Sequence, residues 1–329
     1  MKKFFSLLLS AILIILCLPS CQKDEEQGYF TRTLRDERGR LSVSLSRDSK
    51  DGAPLSDEEL KKIYDETCET FATAYDFLDN KQQSGISAMN APVKTIFDID
   101  KDLISEIEKA IELSALTDGL YEPCGGTLTK VLSASDSPSD GVINEALLHV
   151  GSDKFSFSED SLEKSDPEAM IDLCSYRDGY ALSATCEYLK ESDCAFGAIT
   201  FNGIAGVFGK KADGSLFSVE IGNGADGTFN ISDGYVALVN EDFGIAYDHT
   251  DGKLEPKLLR AAVYAADAEA AAILASVGYV HGSDALLSLY EKESLVFEAV
   301  LTENDGTEIF TKKAKDSNLY TPITTADSQ

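Results

Sequence analysis

Few side chains here can do chemistry, and most of them sit in patterns that fail the chemistry they suggest. Gly222-x-Gly224-x-x-Gly227 matches the dinucleotide fingerprint letter by letter. That motif needs a strand before it and a helix after it, so that a helix N-terminus meets the pyrophosphate. Both flanks read as strands here, which makes the segment a hairpin loop. Asp98-x-Asp100-x-Asp102 opens like a calcium loop, but Leu103 stands where the turn glycine belongs and Lys109 where the bidentate glutamate belongs. Acidic side chains at a helix N-terminus account for it better. The histidines, His149, His249 and His281, are far apart and show no metal-ligand spacing. Beyond Cys21 the cysteines are Cys68, Cys124, Cys174, Cys186 and Cys194, an odd number without a Cys-x-x-Cys unit. One disulfide among the last three is one reading; small, buried apolar residues are the other.

The elements that must position such groups can be read from periodicity. Leu41 to Leu45 alternates apolar and polar, as a strand does. Ser56-Asp57-Glu58-Glu59 is a capping box, opening a helix whose apolar face carries Leu60, Ile63, Tyr64, Phe71, Tyr75 and Leu78. A second helix is predicted over 100–116, ending near Gly119. After Gly151 a helix is predicted over 180–190. Strands follow near 195–202, 205–211, 215–222, 227–231, 234–240 and 244–248, with Asp213-Gly214 and Asp233-Gly234 as hairpin signals. A strand over Leu259–Tyr264 leads into an alanine-rich helix, Ala266 to Val277, stopped by Gly278; a helix near 283–292 and a hairpin at Asn304-Asp305-Gly306 complete the pattern. The fold class is α+β, a largely antiparallel sheet flanked by helices. One domain is expected over 39–318, with 319–329 as a tail.

The N-terminus points to export. Lys2 and Lys3 precede an apolar run from Phe4 to Leu18, too short to span a bilayer and suited to a secretory signal. Leu18-Pro19-Ser20-Cys21 resembles a lipobox, so residues 1–20 are read as a signal peptide and Cys21 as a lipid-modified, membrane-anchored N-terminus. Residues 21–38 read as an acidic, flexible tether, and Gln22 to Glu26 resembles the acidic tag of some surface lipoproteins. Without the signal peptide, 27 basic face 57 acidic side chains. That field repels nucleic acid phosphates and anionic lipid headgroups, and argues against binding to either.

The order of several segments resembles the ApbE-type FAD:protein FMN transferases. Ser84-Gly85-Ile86-Ser87-Ala88-Met89-Asn90 followed by Thr117-Asp118-Gly119-Leu120-Tyr121-Glu122-Pro123 is similar to the family's Ser…Ile-Ser…Asn segment and Thr-Asp-Gly-aromatic-Asp-Pro turn. Asp172-Leu173 with Gly179-Tyr180-Ala181 resembles its Asp-Leu-Gly-Gly-Ile-Ala-Lys-Gly-Tyr loop. Asn202-Gly203 through Val219-Glu220-Ile221 resembles its glycine-rich hairpin, and Tyr247 to Lys253 its His-Ile-Ile-Asp-Pro-x-Thr-Gly segment. Ala266 to Gly278 is similar to the helix that carries metal ligands. The resemblance implies a T-fold-like domain that binds FAD and magnesium, cleaves the pyrophosphate, and passes FMN to a threonine of a partner, such as a membrane redox protein. It assigns flavin contacts to Ser84, Asn90, Glu122, Gly179, Tyr180, Gly203 and Asp248. Metal binding would fall to Asp267 and the backbone carbonyl of Arg177.

Departures accompany the matches. Asp178 stands where the family has lysine, Ile204-Ala205 follow Gly203, Ile245 replaces a histidine, and His249 follows Asp248 in place of proline. Four residues after Asp267 lies Ala271, where a threonine one turn on would share the ion. The alternatives are a relative of the same fold that binds flavin or protein without chemistry, and an unrelated lipoprotein capturing a glycan or peptide.

Overall fold

The computed structural model describes residues 28–79, 85–135, 137–211, 213–221, 227–243, 247–253 and 255–322. Cys21, Ser84, Gly222, Gly224 and Ile245 lie outside them.

The described chain opens with a hairpin, β1 (Tyr29–Asp36) and β2 (Gly39–Ser46). β1 lies inside the stretch read as a tether. Its exposed, charged residues belong to the edge of a sheet, where outward charge discourages further pairing. Phe30 is buried, the Arg32 guanidinium lies 4.9 Å from its ring centre, and Thr31 and Thr33 pair across to Ser44 and Ser42. α1 (Asp57–Phe77) starts at the expected capping box, with the Ser56 hydroxyl and the Glu59 carboxylate each accepting the other's backbone N–H. α2 (Ile86–Met89), β3 (Thr95–Phe97) and α3 (Lys101–Leu116) follow; Asp100 caps α3 by accepting the Asp102 N–H, as a helix start rather than a calcium loop. Next come α4 (Gly126–Ala134), α5 (Asp140–Leu147), β4 (Phe155–Phe157) and β5 (Ser161–Lys164). α6 (Cys174–Glu191) begins six residues before the expected helix.

A run of strands follows: β6 (Phe196–Phe201), β7 (Ile204–Gly209), β10 (Gly234–Asn240) and β11 (Leu258–Ala265) join the main sheet, while β8 (Phe217–Ile221) and β9 (Gly227–Ile231) belong to a small second one. Tyr247 and Asp248 fall in a loop rather than a strand. α7 (Ala268–His281), α8 (Ser283–Glu291), β12 (Phe297–Glu303), β13 (Glu308–Phe310), α9 (Lys312–Asp316) and β14 (Tyr320–Pro322) complete the chain, so the expected tail begins with a paired strand. α7 also runs through Gly278 to Gly282. At Gly278 a Cβ would meet Leu286 at 3.1 Å and Ala261 at 3.3 Å, so that glycine allows close packing instead of ending the helix.

The large sheet has the order β1-β2-β6-β7-β10-β11-β12-β13, antiparallel throughout. Alternate residues of its central strands serve two cores. On β11, Ala261, Val263 and Ala265 face one apolar cluster with the alanines of α7, while Ala262 and Tyr264 face another. Helices α6 and α7 cover the first face. The small sheet β14-β9-β8 contributes Phe217, Phe229 and Ile231 to the second. Burial on both faces explains why these strands lack a polar side. Cys68, Cys124, Cys174, Cys186 and Cys194 are all free, and Cys124, Cys186 and Cys194 are buried.

Candidate active site

One cleft gathers the chemically capable side chains from four separate segments. Its walls include Tyr121, Glu122, Asp172, Cys174, Tyr247, His249 and His281, and it encloses about 610 Å³ when space open to solvent is counted. α7 contributes Ile273, Ser276, Val277, Val280 and His281, which recur at helical spacing along one face.

The first wall is the turn leaving α3. Asp118 and Gly119 take positive φ (56° and 74°), the left-handed pair that reverses a chain at a helix end. Thr117 Oγ accepts the Tyr121 N–H at 3.3 Å, tightening the turn. Glu122 follows and accepts the Cys124 N–H at 2.8 Å; burial nevertheless raises its carboxyl above the ordinary glutamate value. The Tyr121 hydroxyl is buried beside this cleft and meets no partner among the described residues.

The second wall is the segment entering α6. Asn90 pins it, accepting the Ile171 N–H at 2.7 Å and donating to the Ile171 carbonyl at 2.9 Å. The Asp172 N–H is held by the Pro123 carbonyl at 2.7 Å, and Asp172 Oδ1 accepts the Cys174 N–H at 3.2 Å and the thiol at 2.9 Å. Crowding of the thiol by the cleft walls, with the Asp172 charge beside it, raises the Cys174 thiol well above its usual value, although the residue keeps an exposed face and lies in the first turn of a helix. Burial, with Asp172 beside it, also raises the Tyr247 phenol, which hydrogen-bonds that carboxylate.

The third wall joins the 247–253 loop to the end of α7. Asp248 Oδ1 accepts the Thr250 N–H at 2.8 Å and its hydroxyl at 2.5 Å. Asp248 Oδ2 faces His281 Nδ1 at 3.5 Å. His249 lies beside the Gly119 carbonyl, and burial lowers its pKa. Burial would raise the Asp248 carboxyl, but the Thr250 hydrogen bonds and the two imidazoles hold it below the ordinary value. The histidines, without any local motif spacing, therefore converge: one ligand atom each from Asp248, His249 and His281 lies within 4.8 Å of the others. His149 stays apart, paired with Asp166 at 2.7 Å.

Of the expected flavin contacts among the described residues, Glu122 lines the cleft directly, while Asn90 and Asp248 hold its walls. Gly203 forms the β6–β7 hairpin tip with Asn202 (φ 79° and 45°), a type I′ pair. Tyr180 packs on Phe77, with ring centroids 6.2 Å apart. Gly179 lies against the start of α7, where a Cβ would meet Glu269 Cα at 2.6 Å. Asp172, Cys174, Tyr247 and the His249–His281 pair are the cleft groups that residue typing alone had not marked as one site. The one signal of their meeting was the adjacency of Asp248 and His249.

Of the expected magnesium ligands, Asp267 lies at the start of α7 and Arg177 apart from the loop setting read for it. Arg177 lies within α6, not in a loop, and a carbonyl at that position is directed along the axis to the N–H four residues on. Its guanidinium bridges Asp79 at 3.1 Å and Asp178 at 3.0 Å and lies 4.2 Å from the Tyr75 ring centre. Asp178, the charge reversal, is thus neutralised by its neighbour and receives the Asn202 amide at 2.9 Å. Asp267 is exposed at the N-cap of α7, where its carbonyl accepts the Ala271 N–H at 3.0 Å. Among the described residues it belongs to no group of three His, Cys, Asp or Glu side chains that could share an ion.

A family model, that of the ApbE family, matches residues 42–301. Solved structures show the same architecture. The apo flavinyl transferase ApbE of Pseudomonas stutzeri superposes with TM-score 0.74 at 19% identity, covering 89% of this chain and 98% of that one. The flavin transferase ApbE of Vibrio cholerae gives 0.71 at 17% identity, covering 88% and 99%. The ApbE protein of Thermotoga maritima gives 0.71 at 18%, covering 87% and 98%. No sequence match was found among curated proteins.

Proposed function

Because the chain belongs to the ApbE family, we propose that its cleft takes FAD and that the protein passes FMN to a threonine hydroxyl of a partner protein, with AMP as the leaving group. The observation that carries this reading is convergence. The 117–123 turn, the segment at Asp172 and the loop at Tyr247–Asp248 are distant in sequence, and their side chains line one cleft. The N-terminus of α6 enters it through Cys174 and Ser175, and the positive end of a helix favours a pyrophosphate. That matters in a chain of net charge −28, where most of the charged side chains repel an anion. Asn90 and the Asp172 hydrogen bonds hold the wall in place, and the Tyr121 hydroxyl, without a partner among the described residues, offers a polar contact to a ligand. Magnesium is proposed as the family's usual companion of FAD; Asp267 offers it an exposed carboxylate at the start of α7, while the Arg177 carbonyl lies inside α6.

The test is incubation of purified protein with FAD and magnesium or manganese, read as AMP release and as flavin bound covalently to a threonine-containing acceptor. Turnover supports the reading; none with either metal refutes it. A second reading has its own observation. With Ala271 one turn after Asp267 and the Arg177 carbonyl inside α6, the chain can hold flavin without cleaving it. Flavin fluorescence retained through purification, without AMP, selects that reading.

The setting proposed for either activity is a lipid anchor at Cys21 on an exported protein, facing a membrane redox partner. No described helix is long and apolar enough to cross a membrane. Mass spectrometry of the mature N-terminus tests the anchor, which requires a diacylated cysteine.

A further inference from the structure

We propose that Asp248, His249 and His281 form a binding site for a borderline divalent cation of the zinc type, with an open coordination position toward the cleft. The site stands whether or not the cleft takes FAD. Two imidazoles and one carboxylate are the donor set of an open zinc site, and magnesium, which takes oxygen ligands, is poorly served by them.

The support around each donor carries the inference. A ligating histidine characteristically donates its other ring N–H to a carbonyl or carboxylate, which fixes the tautomer and the ring. His281 does so here, its Nε2 donating to the Leu120 carbonyl at 3.0 Å, and His249 lies beside the preceding carbonyl of the same α3 turn, that of Gly119. A carbonyl cannot donate, so the His281 proton belongs on Nε2. Its Nδ1 then turns a lone pair toward Asp248 Oδ2 at 3.5 Å. Two acceptors face each other, an arrangement that a cation or an added proton completes. Asp248 is likewise oriented, because Thr250 occupies Oδ1 with two hydrogen bonds and leaves Oδ2 for the cluster.

Size and access agree. Ligand atoms around a tetrahedral zinc with bonds of roughly 2.1 Å lie about 3.4 Å apart. The closest observed pair is at 3.5 Å and all lie within 4.8 Å, so small side-chain rotations close the set. His249 and His281 also line the cleft, which places an exchangeable fourth ligand, water or an anionic substrate group, on its open side. The cleft also holds a thiol, Cys174, which already donates to Asp172.

The experiment is a Co(II) titration of metal-stripped, purified protein, read by visible absorption and proton NMR, followed by displacement with Zn(II) and with Mg(II). One equivalent of cobalt is expected to give tetrahedral-type absorption and two exchangeable, hyperfine-shifted imidazole N–H signals. Zinc is expected to displace it and magnesium to leave it bound. His249→Gln and His281→Gln should each weaken binding by at least the 10–100-fold that loss of an outer partner costs, and Thr250→Val by about that factor. The NMR count on wild-type protein keeps the test decisive even where a variant misfolds. Absence of cobalt binding would mean that a proton completes the His281–Asp248 pair and would overturn the proposal. A sulfur-to-cobalt charge-transfer band, or fewer than two imidazole signals, would overturn it as well.

Discussion

Replacing Gly179 by alanine sets two effects of known size against each other. Gly179 lies inside α6, where alanine is normally favoured by about 1 kcal/mol through helix propensity. Its missing Cβ is where α6 meets the start of α7, however. An added Cβ would lie 2.6 Å from Glu269 Cα, 2.7 Å from Glu269 N and 2.8 Å from the Ala268 carbonyl carbon. Ordinary carbon contacts are about 3.5–4.0 Å, so the helices must part by about 1 Å at that point. The clashing atoms are backbone, and no rotamer change relieves them. Overpacking of this kind costs roughly 1–3 kcal/mol, with the upper end favoured where nothing can yield. The net expectation is a destabilisation of about 1–2 kcal/mol, seen as a lower midpoint in urea with an unchanged slope. Gly141→Ala supplies the opposite sign, because Gly141 is also helical, in α5, and its Cβ would meet nothing within 4 Å. That variant should be no less stable than wild type and up to about 1 kcal/mol more stable. A flavin effect should accompany the first change alone. Cys174 and Ser175 on α6 and Ser276 and Val277 on α7 line the same cleft, and Ser175 and Ser276 hydroxyls meet across it at 3.3 Å. Parting the helices should therefore weaken FAD binding in a calorimetric titration. A Gly179→Ala protein as stable as wild type would refute the reasoning that this glycine exists for the α6–α7 contact.

Three further expectations concern the cleft and its supports. Asn90→Ala removes both hydrogen bonds to Ile171 and leaves its N–H and carbonyl dependent on water; unfolding should show a loss of roughly 2 kcal/mol, and a change below about 0.5 kcal/mol would deny Asn90 its pinning role. Tyr121→Phe deletes a buried hydroxyl without a described partner, so it should leave the free protein as stable or about 1 kcal/mol more stable, yet weaken FAD binding; a clear loss of stability would show that the hydroxyl already has a partner. Glu269 has its carboxyl pKa raised, first by burial and then by Asp267 and Glu106 nearby. The folded state therefore binds its proton more tightly than the unfolded chain, and stability falls as pH rises from the ordinary value of 4.5 through the raised one. Glu269→Gln should be more stable than wild type near neutral pH, with the advantage vanishing below that window. An advantage that persists in acid would assign it to something other than ionisation.

What could be read from the sequence was what the chain decides locally. The capping box at Ser56 forms as read because its donors and acceptors are three residues apart. The alternation of Leu41, Val43 and Leu45 survives as buried positions of β2 for the same reason. β1 was hidden because an edge strand and a solvated tether carry the same charged residues, and pairing, not composition, separates them. Gly278 misled in a related way. A glycine at a helix end and a glycine at a helix crossing look alike until the neighbour that fills the missing Cβ is known. The cleft shows the limit most sharply. Asp178 reads as a stray charge beside an anion site, yet Arg177 and Asn202 hold it, and one of those partners comes from another hairpin. His249 and His281 read as isolated, yet one α3 turn offers a carbonyl to each, and their spacing along the chain carries no trace of that turn. Segment order was thus enough to find the family. The donors that give this member its own cleft depend on contacts between segments, and these can be seen only once the chain is folded.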